Sequence, residues 1–224
     1  MEHTAASKCF AETYTPEKGY HTASRCYYGR VAETFGRNLP RIKQARILDF
    51  GCSIGWTTIE LANLYPDSSV IGIDIRRYSI LDALQNRDRT KKEGIVAEFR
   101  DILVGNHLVY RPCLKTPDHF FIADGFHAPF KAETFEAVFC MNNIYYIVSH
   151  AEKQLATERL NQIARLVKPG GFLLISGCST DLENDYIILK KRAQGFVQHK
   201  ISVIKYPQSK RCLEIILNSL LRKN

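Results

Sequence analysis

Short apolar runs alternate along this chain with segments whose apolar residues recur at helical spacing, and several of the runs end at an acidic residue. Short apolar runs bounded by turn residues are typical of buried strands, and strands that alternate with helices indicate a parallel sheet with helical crossovers. The pattern predicts strands at 47–50, 70–74 and 200–206, and helices at 24–36, 56–63, 78–85, 151–166 and 182–194. Gly195 stands where the last of these helices would end.

Two parts of the chain fit this alternation less simply. Between Asp74 and Asp124 the path is much longer than one crossover needs, so we expect an insertion at about 86–118. Its apolar residues Ile95, Phe99, Ile102 and Leu103 recur at helical spacing, whereas 108–110 fits a short strand. The insertion is interpreted as a substrate-selecting lid or as an outer helical hairpin. The pattern at 212–221 fits a helix or a strand equally well.

A glycine-containing turn follows the first predicted strand and precedes a predicted helix. Gly51 and Gly55 allow positive φ or close approach of a ligand, and the helix start directs unpaired N–H groups to the same place. Further along, the second predicted strand ends at Asp74, where a carboxylate that is expected to face solvent can accept hydrogen bonds from ribose hydroxyls. The residues therefore predict a nucleotide-binding turn.

Two other functions of this turn are less well supported. A dinucleotide fingerprint would place Ser53 and Trp56 at its second and third glycine positions, and Trp56 is too large for the close helix–strand contact. The segment 51–55 also reads as the G-x-S-x-G nucleophile elbow of hydrolases. However, too few elements precede Ser53 for that fold, and no His-Gly-Gly segment precedes it to build an oxyanion hole.

The string ILDFGCSIGWTT at 47–58 resembles motif I of the class I, Rossmann-like S-adenosylmethionine-dependent methyltransferases, with Ser53 in place of the middle glycine. The resemblance continues in the right order over most of the chain. It includes a third strand followed by an acid and Gly-Phe at 120–126, and an A-P-F loop at 128–130. A fourth strand follows at 134–139, then the segment MNNIYY at 141–146, and then an L-V-K-P-G-G turn with a fifth strand at 166–176.

This resemblance implies an α/β fold: a doubly wound, three-layer α/β/α structure whose sheet is mostly parallel with an antiparallel last strand. It implies a single methyltransferase domain over 1–224, with an N-terminal helical cap at about 1–40. The final antiparallel strand would come from 212–221 and lie beside the sixth strand.

By the same resemblance, S-adenosyl-L-methionine is the expected cofactor. Asp74 would bind the ribose, Ile75 would pack on the adenine, and Asn142 would stand between cofactor and acceptor. The remaining cofactor-binding residues surround the methionine end (Asp49, Gly51, Cys52, Ser53, Gly55) and the adenine (Asp124, Gly125, Phe126). No catalytic residue is assigned, and the weak candidates for the acceptor pocket or a general base are Asn142, Tyr145, Tyr20 and His21, followed by Tyr146 and His150.

Composition argues against a disulfide-rich, metal-binding, membrane-spanning or secreted protein. The seven cysteines are odd in number and include no C-x-x-C pair, and no H-E-x-x-H occurs, so neither a disulfide framework nor a metal site is expected. No apolar run is long enough for a transmembrane helix, and no signal peptide is evident, so a cytoplasmic location is expected. The net charge of +8 comes from 190–224, which contains nine basic residues and a single acidic residue, Glu214.

The expected activity is methyl transfer from S-adenosylmethionine to a small-molecule acceptor. One rival is an RNA or protein methyltransferase that uses the basic C-terminal region to bind an anionic partner. Its basic residues are dispersed and lack interleaved aromatic residues, so nucleic acid is not the favoured partner. A second rival is a cofactor-binding module that does not catalyse a reaction.

Overall fold

The computed structural model describes residues 42–102, 105–141, 153–176, 186–201 and 207–221, with the backbone alone described at 97–102, 105–111, 153 and 207–212. The strands are β1 Arg46–Phe50, β2 Ser69–Asp74, β3 Ile95–Ile102, β4 Gly105–Pro112, β5 His119–Ile122, β6 Phe135–Met141, β7 Val167–Ser176, β8 Tyr186–Arg192 and β9 Gly195–Ile201. The helices are α1 Trp56–Leu64, α2 Arg77–Glu93, α3 Lys153–Ala164 and α4 Pro207–Leu220, with a 3₁₀ turn at Gly125–His127.

Seven strands form one sheet in the order β5-β2-β1-β6-β7-β8-β9. The first five of these are parallel, β8 runs antiparallel to β7, and β9 runs antiparallel to β8. The carboxyl ends of β5, β2, β1 and β6 therefore meet at one edge of the sheet. In open α/β sheets this edge is where ligands bind.

Helices cover both faces of the sheet. On one face Leu61 of α1 packs with Ile47 and Phe139, and α2 packs alongside α1. On the other face Leu160 of α3 and Ile216 of α4 pack in the same buried cluster as the strand residues Leu48 and Val138. The three-layer α/β/α architecture with an antiparallel sheet edge is thus confirmed.

The predicted elements around the glycine turn agree with the structure to within one or two residues at each end, and the first helix ends at Leu64. The second predicted helix begins one residue early and continues to Glu93, well beyond the predicted end at 85. Gly94, with a φ of 67°, terminates it. The predicted cap at 1–40 and helix at 24–36 lie outside the described residues.

The helical interpretation of 95–103 is wrong. Residues 95–102 form β3, which pairs antiparallel with β4 in a separate two-stranded sheet, with Phe99 opposite Leu108. The predicted strand at 108–110 lies within β4 and is confirmed. Apolar spacing alone misassigned this segment because a strand is stabilised by a partner strand, which a local periodicity does not contain.

The C-terminal predictions need two further corrections. The predicted helix at 182–194 is strand β8 where the chain is described, and Gly195 begins β9 in the tight β8–β9 connection, with a φ of 132°. Strand β8 is apolar on both sides because Ile187 and Ile188 pack into clusters on opposite faces of the sheet, which hides the strand alternation.

The last element is helix α4, not the final antiparallel strand expected at 212–221. The reversed strand is β8 instead, which follows β7 directly in the sheet. The sixth strand, predicted at 200–206, is β9 and begins at Gly195; of the predicted range, 202–206 lie outside the described residues. Among the described helices, none is long and apolar enough to cross a membrane.

Candidate active site

The turn after β1 has positive φ at three alternate positions. Gly51 has a φ of 72°, Ser53 of 49° and Gly55 of 85°. Within the turn, the Gly55 N–H donates to the Cys52 carbonyl at 2.9 Å, and the Cys52 N–H donates to the Ile73 carbonyl of β2 at 2.8 Å. The turn is therefore anchored to the neighbouring strand by backbone hydrogen bonds.

Ser53 occupies a left-handed conformation that glycine would adopt without strain. A side chain in this region costs roughly 1 kcal/mol because its Cβ approaches the following carbonyl oxygen. The substitution of the middle glycine is therefore accommodated without a change of backbone path, at some cost in conformational energy.

Asp74, at the end of β2, is tied to the same turn. The Ser53 N–H donates to Oδ2 at 3.0 Å, and the Arg76 N–H donates to Oδ1 at 2.9 Å. Only 7% of the Asp74 side chain is exposed. The sequence had led us to expect a solvent-facing carboxylate at this strand end, and that expectation is wrong, because the turn folds back over the acid.

The Arg76 guanidinium lies across the turn and the acid. Its Nε donates to Asp74 Oδ1 at 3.4 Å, its Nη2 to Ser53 Oγ at 3.4 Å and its Nη1 to Tyr78 Oη at 3.3 Å. The guanidinium carbon also lies 5.5 Å from the centroid of the Tyr78 ring. All three of these hydrogen bonds are long, so each of them is a weak contact.

Asp49 is buried beneath the turn at the end of β1, with 1% of its surface exposed. Thr58 Oγ1 of α1 donates to its Oδ2 at 2.6 Å. Burial raises the pKa of Asp49 to about 7, and the negative charge of Asp74 adds to this effect, while the hydrogen bond from Thr58 opposes it.

Asp124 follows β5 and caps the 3₁₀ turn. Its Oδ1 accepts a hydrogen bond from the Phe126 N–H at 3.0 Å, and its Oδ2 lies 2.7 Å from His127 Nδ1. The contact with His127 lowers the pKa of Asp124, and the bond from the Phe126 N–H contributes in the same direction. A Cβ at Gly125 would stand 2.2 Å from Phe50, so only glycine fits between Asp124 and the end of β1.

The structure thus brings the predicted acids to the carboxyl ends of three adjacent strands, at β1, β2 and β5. Ile75 is 65% exposed beside Asp74, at the same edge. The Cys52 thiol is buried within the turn, and burial raises its pKa. The weaker candidates lie outside the described residues: Tyr20, His21, Asn142, Tyr145, Tyr146 and His150.

Three residues of the site were missed by sequence reasoning. Thr58 lies in the first turn of α1, and its hydroxyl is one of several that could have faced Asp49. Arg76 and His127 follow their acids by two and three residues, a spacing that permits a contact and does not require one. A basic side chain shortly after a strand-end acid is the signal that could have identified the latter two.

The chemistry of this arrangement fits an adenosine-containing cofactor. Carboxylate oxygens accept hydrogen bonds from hydroxyl and amino groups, which are the donors on a ribose and an adenine. The positive-φ turn at 51–55 follows Asp49 and donates the Ser53 N–H to Asp74, and helix α1 begins directly after the turn. The residues present therefore match the donors that the expected cofactor carries.

The chain is similar to known methyltransferases. O-methyltransferase cnsE of Penicillium expansum is 26% identical over 152 residues, covering 68% of this chain and 45% of that protein. An uncharacterized methyltransferase of Schizosaccharomyces pombe is 27% identical over 157 residues, covering 66% and 47% of the two chains. The chain thus spans less than half the length of these curated relatives.

The crystal structure of the [4+2]-cyclase SpnF resembles this fold, with a TM-score of 0.52 and 16% sequence identity, and the match covers 85% of this chain and 57% of that one. The family model described as "Methyltransferase domain" matches residues 48–175, from β1 to the end of β7. Because this match includes the turn, all three acids and more than half of the chain, the protein belongs to the methyltransferase domain family.

Proposed function

We propose that this protein is an S-adenosylmethionine-dependent methyltransferase that acts on a small-molecule acceptor. The observation that carries the proposal is the set of acids at the ends of β1, β2 and β5 around a turn with three positive φ angles. Membership of the methyltransferase domain family supports it. The fold by itself does not choose the reaction, since one fold hosts many activities.

Each acid has a distinct part in holding the cofactor. Asp74 binds the ribose hydroxyls, and Asp124 accepts a hydrogen bond from the adenine amino group, with Ile75 against the adenine face. The turn from Gly51 to Gly55 surrounds the methionine end, and Asp49 supports that turn from beneath through Thr58. Cys52 and Ser53 contribute backbone to the same end, while Gly125 and Phe126 line the adenine end.

When bound, S-adenosylmethionine supplies an electrophilic methyl group on its sulfonium. The chain's own residues then have to orient the acceptor in line with that group and exclude water, and correct placement alone supplies much of the rate. A general base is required only for an acceptor that keeps its proton at neutral pH. Asn142 is proposed at the rim between cofactor and acceptor, and no residue is assigned as the base.

Several observations favour a small acceptor over a nucleic acid. Two of the basic residues near the C-terminus are occupied within the protein: Lys190 Nζ lies 5.5 Å from the centroid of the Phe172 ring, and Lys191 Nζ donates to the Val167 carbonyl at 2.6 Å. These two contacts hold β8 against β7 and make the two lysines less available to an anionic partner. The name of the Penicillium relative supports oxygen as the acceptor atom.

The first experiment is thermal unfolding with S-adenosylmethionine, S-adenosylhomocysteine or NAD in large excess. A ligand at about 100 times its dissociation constant adds roughly 2.7 kcal/mol, and a chain of this size shifts by about 2–4 °C per kcal/mol. We expect a rise of several degrees with the two adenosyl compounds and none with NAD. A rise with NAD alone would contradict the cofactor assignment.

The second experiment addresses the acceptor. The protein is incubated with cofactor carrying a labelled methyl group and with separate small-metabolite, RNA and protein fractions of a cell extract. The proposal expects label in the metabolite fraction only. Salt-sensitive labelling of RNA would favour the nucleic-acid rival, and cofactor binding with no labelling of any fraction would favour a non-catalytic module.

A further inference from the structure

Asp74, the acid assigned to the ribose, already accepts three hydrogen bonds from the chain itself. Its Oδ2 accepts from the Ser53 N–H at 3.0 Å, and its Oδ1 accepts from the Arg76 N–H at 2.9 Å and from Arg76 Nε at 3.4 Å. A carboxylate offers about four acceptor positions on its two oxygens. These three bonds therefore leave room for roughly one more donor.

A ribose brings two hydroxyl donors on neighbouring carbons. For both to bind Asp74, one of the three existing bonds has to open. The Ser53 N–H belongs to the glycine turn and the Arg76 N–H to the N-cap of α2, so losing either bond would disturb the backbone of the site. The Arg76 side chain makes the longest of the three bonds, and it can move without displacing any backbone.

The surroundings of Arg76 favour such a movement. Its side chain is 43% exposed, so the guanidinium is partly hydrated where it lies. It also contacts Tyr78 through both the hydroxyl and the ring, and these contacts do not involve Asp74. Releasing Asp74 therefore costs one long, partly exposed ion pair, which is worth about 0.2–1 kcal/mol in typical measurements.

We propose that Arg76 is a positioning residue that competes with the ribose for an oxygen of Asp74 and withdraws towards Tyr78 when the ribose binds. The inference rests on the proposed function, because it takes Asp74 as the ribose ligand. Until it withdraws, Arg76 pairs its positive charge with the Asp74 carboxylate and holds that side chain in place. Cofactor affinity is then lower than the site would otherwise allow, by the strength of the ion pair that has to open.

The test is titration calorimetry of the full chain with S-adenosylhomocysteine, whose amino and carboxylate charges cancel. Arg76→Met keeps the length of the side chain and removes its charge and its donors. The matched control is Arg77→Met, which removes the same charge from the neighbouring exposed residue, for which no contact with Asp74 is seen in the described part of the chain. Each protein is titrated at about 0.02 M and about 0.3 M salt, across which screening of a partly exposed pair changes strongly.

We expect Arg76→Met to bind the ligand about 1.4- to 5-fold more tightly than wild type at low salt, which is the strength of the ion pair expressed as an affinity ratio. Wild type and Arg77→Met should gain affinity as salt rises, whereas Arg76→Met should not. A purely structural role for Arg76 would predict weaker binding and no change in the salt profile.

The outcomes separate the two proposals. If wild type binds and Arg76→Met binds no more tightly, the role of Arg76 is wrong and the cofactor assignment stands. If Arg76→Met alone binds, the displacement is supported in a stronger form. If none of the three proteins binds the ligand at either salt concentration, both the proposed function and the role of Arg76 are overturned.

Discussion

The carboxyl ends of β2 and β5 each carry an acid assigned to the cofactor, yet the two acids are held in different ways. Asp74 is 7% exposed and is bonded by the N–H of Ser53, which lies 21 residues away in the chain. Asp124 is 40% exposed, and its hydrogen bonds come from Phe126 and His127, within three residues.

This difference separates two kinds of site residue. A buried acid that joins distant segments contributes to folding as well as to binding, so its removal should affect both. An exposed acid with local partners contributes to binding and little to stability. The predictions below test that distinction, from the largest expected effect to the smallest.

Asp74→Ala should lower the free energy of unfolding by about 3 kcal/mol, because it leaves two backbone N–H groups near the turn without their acceptor. The affinity for S-adenosylhomocysteine should fall at least about tenfold, since a hydrogen bond to a charged group contributes roughly 1.5–3 kcal/mol. Urea unfolding and titration calorimetry measure the two quantities. A stable variant with lowered affinity would show that Asp74 resembles Asp124 after all.

Asp49→Asn extends the comparison to the most buried of the three acids. The folded pKa of about 7 lies above the unfolded value of 3.8, so the folded state binds the proton more tightly. This contribution to stability is fully present below pH 3.8 and is lost as pH rises through about 7; from pH 5 to 8 the loss is about 3 kcal/mol. The variant should lack this loss in urea unfolding at the two pH values.

Other groups also titrate between those pH values, so the informative quantity is the difference between wild type and Asp49→Asn. Thr58→Val is a second check, because it removes the hydrogen bond that opposes the rise in the Asp49 pKa. It should enlarge the pH dependence that Asp49→Asn removes. Equal pH profiles for wild type and Asp49→Asn would show that the carboxyl is not protonated in the folded protein near pH 6.

Asp124→Ala should lower the affinity for S-adenosylhomocysteine several-fold while changing the free energy of unfolding by less than about 1 kcal/mol, the typical loss of a single cap. The matched control is Asp118→Ala at the opposite end of β5, where the carboxylate accepts the Val70 N–H at 2.9 Å. That variant should lose stability and keep its affinity. A large loss of stability in Asp124→Ala, or a loss of affinity in Asp118→Ala, would contradict the distinction between acids that bind the cofactor and acids that stabilise the fold.

Ser53→Gly should raise the free energy of unfolding by about 0.5 kcal/mol. Relief of the left-handed strain favours the variant, whereas the greater freedom of glycine in the unfolded chain and the loss of the weak contact with Arg76 oppose it. Thermal and urea unfolding measure the change. A marked loss of stability would mean that the serine hydroxyl contributes more to the turn than its 3.4 Å contact indicates.

Sequence reasoning succeeded where structure depends on local chemistry. The glycine turn, the strand end at Asp74 and the helix from Trp56 follow from residue types that allow few alternatives, whereas the acid after the third strand, Asp124, was expected from the family resemblance. It failed at β3 and β8, where apolar residues on both faces or at helical spacing belong to strands whose partners lie elsewhere in the chain. The roles assigned to the site residues stay predictions until binding is measured.

The sequence by itself determined that an α/β sheet carries acids at its carboxyl edge around a positive-φ turn, because glycine placement, strand length and acid position are local properties. Only the tertiary structure decided that Asp74 is buried under the turn, that Thr58 bonds Asp49 and that Arg76 lies across the acid. Burial and partnership depend on which distant segments pack together, and a single chain read in order does not contain that information.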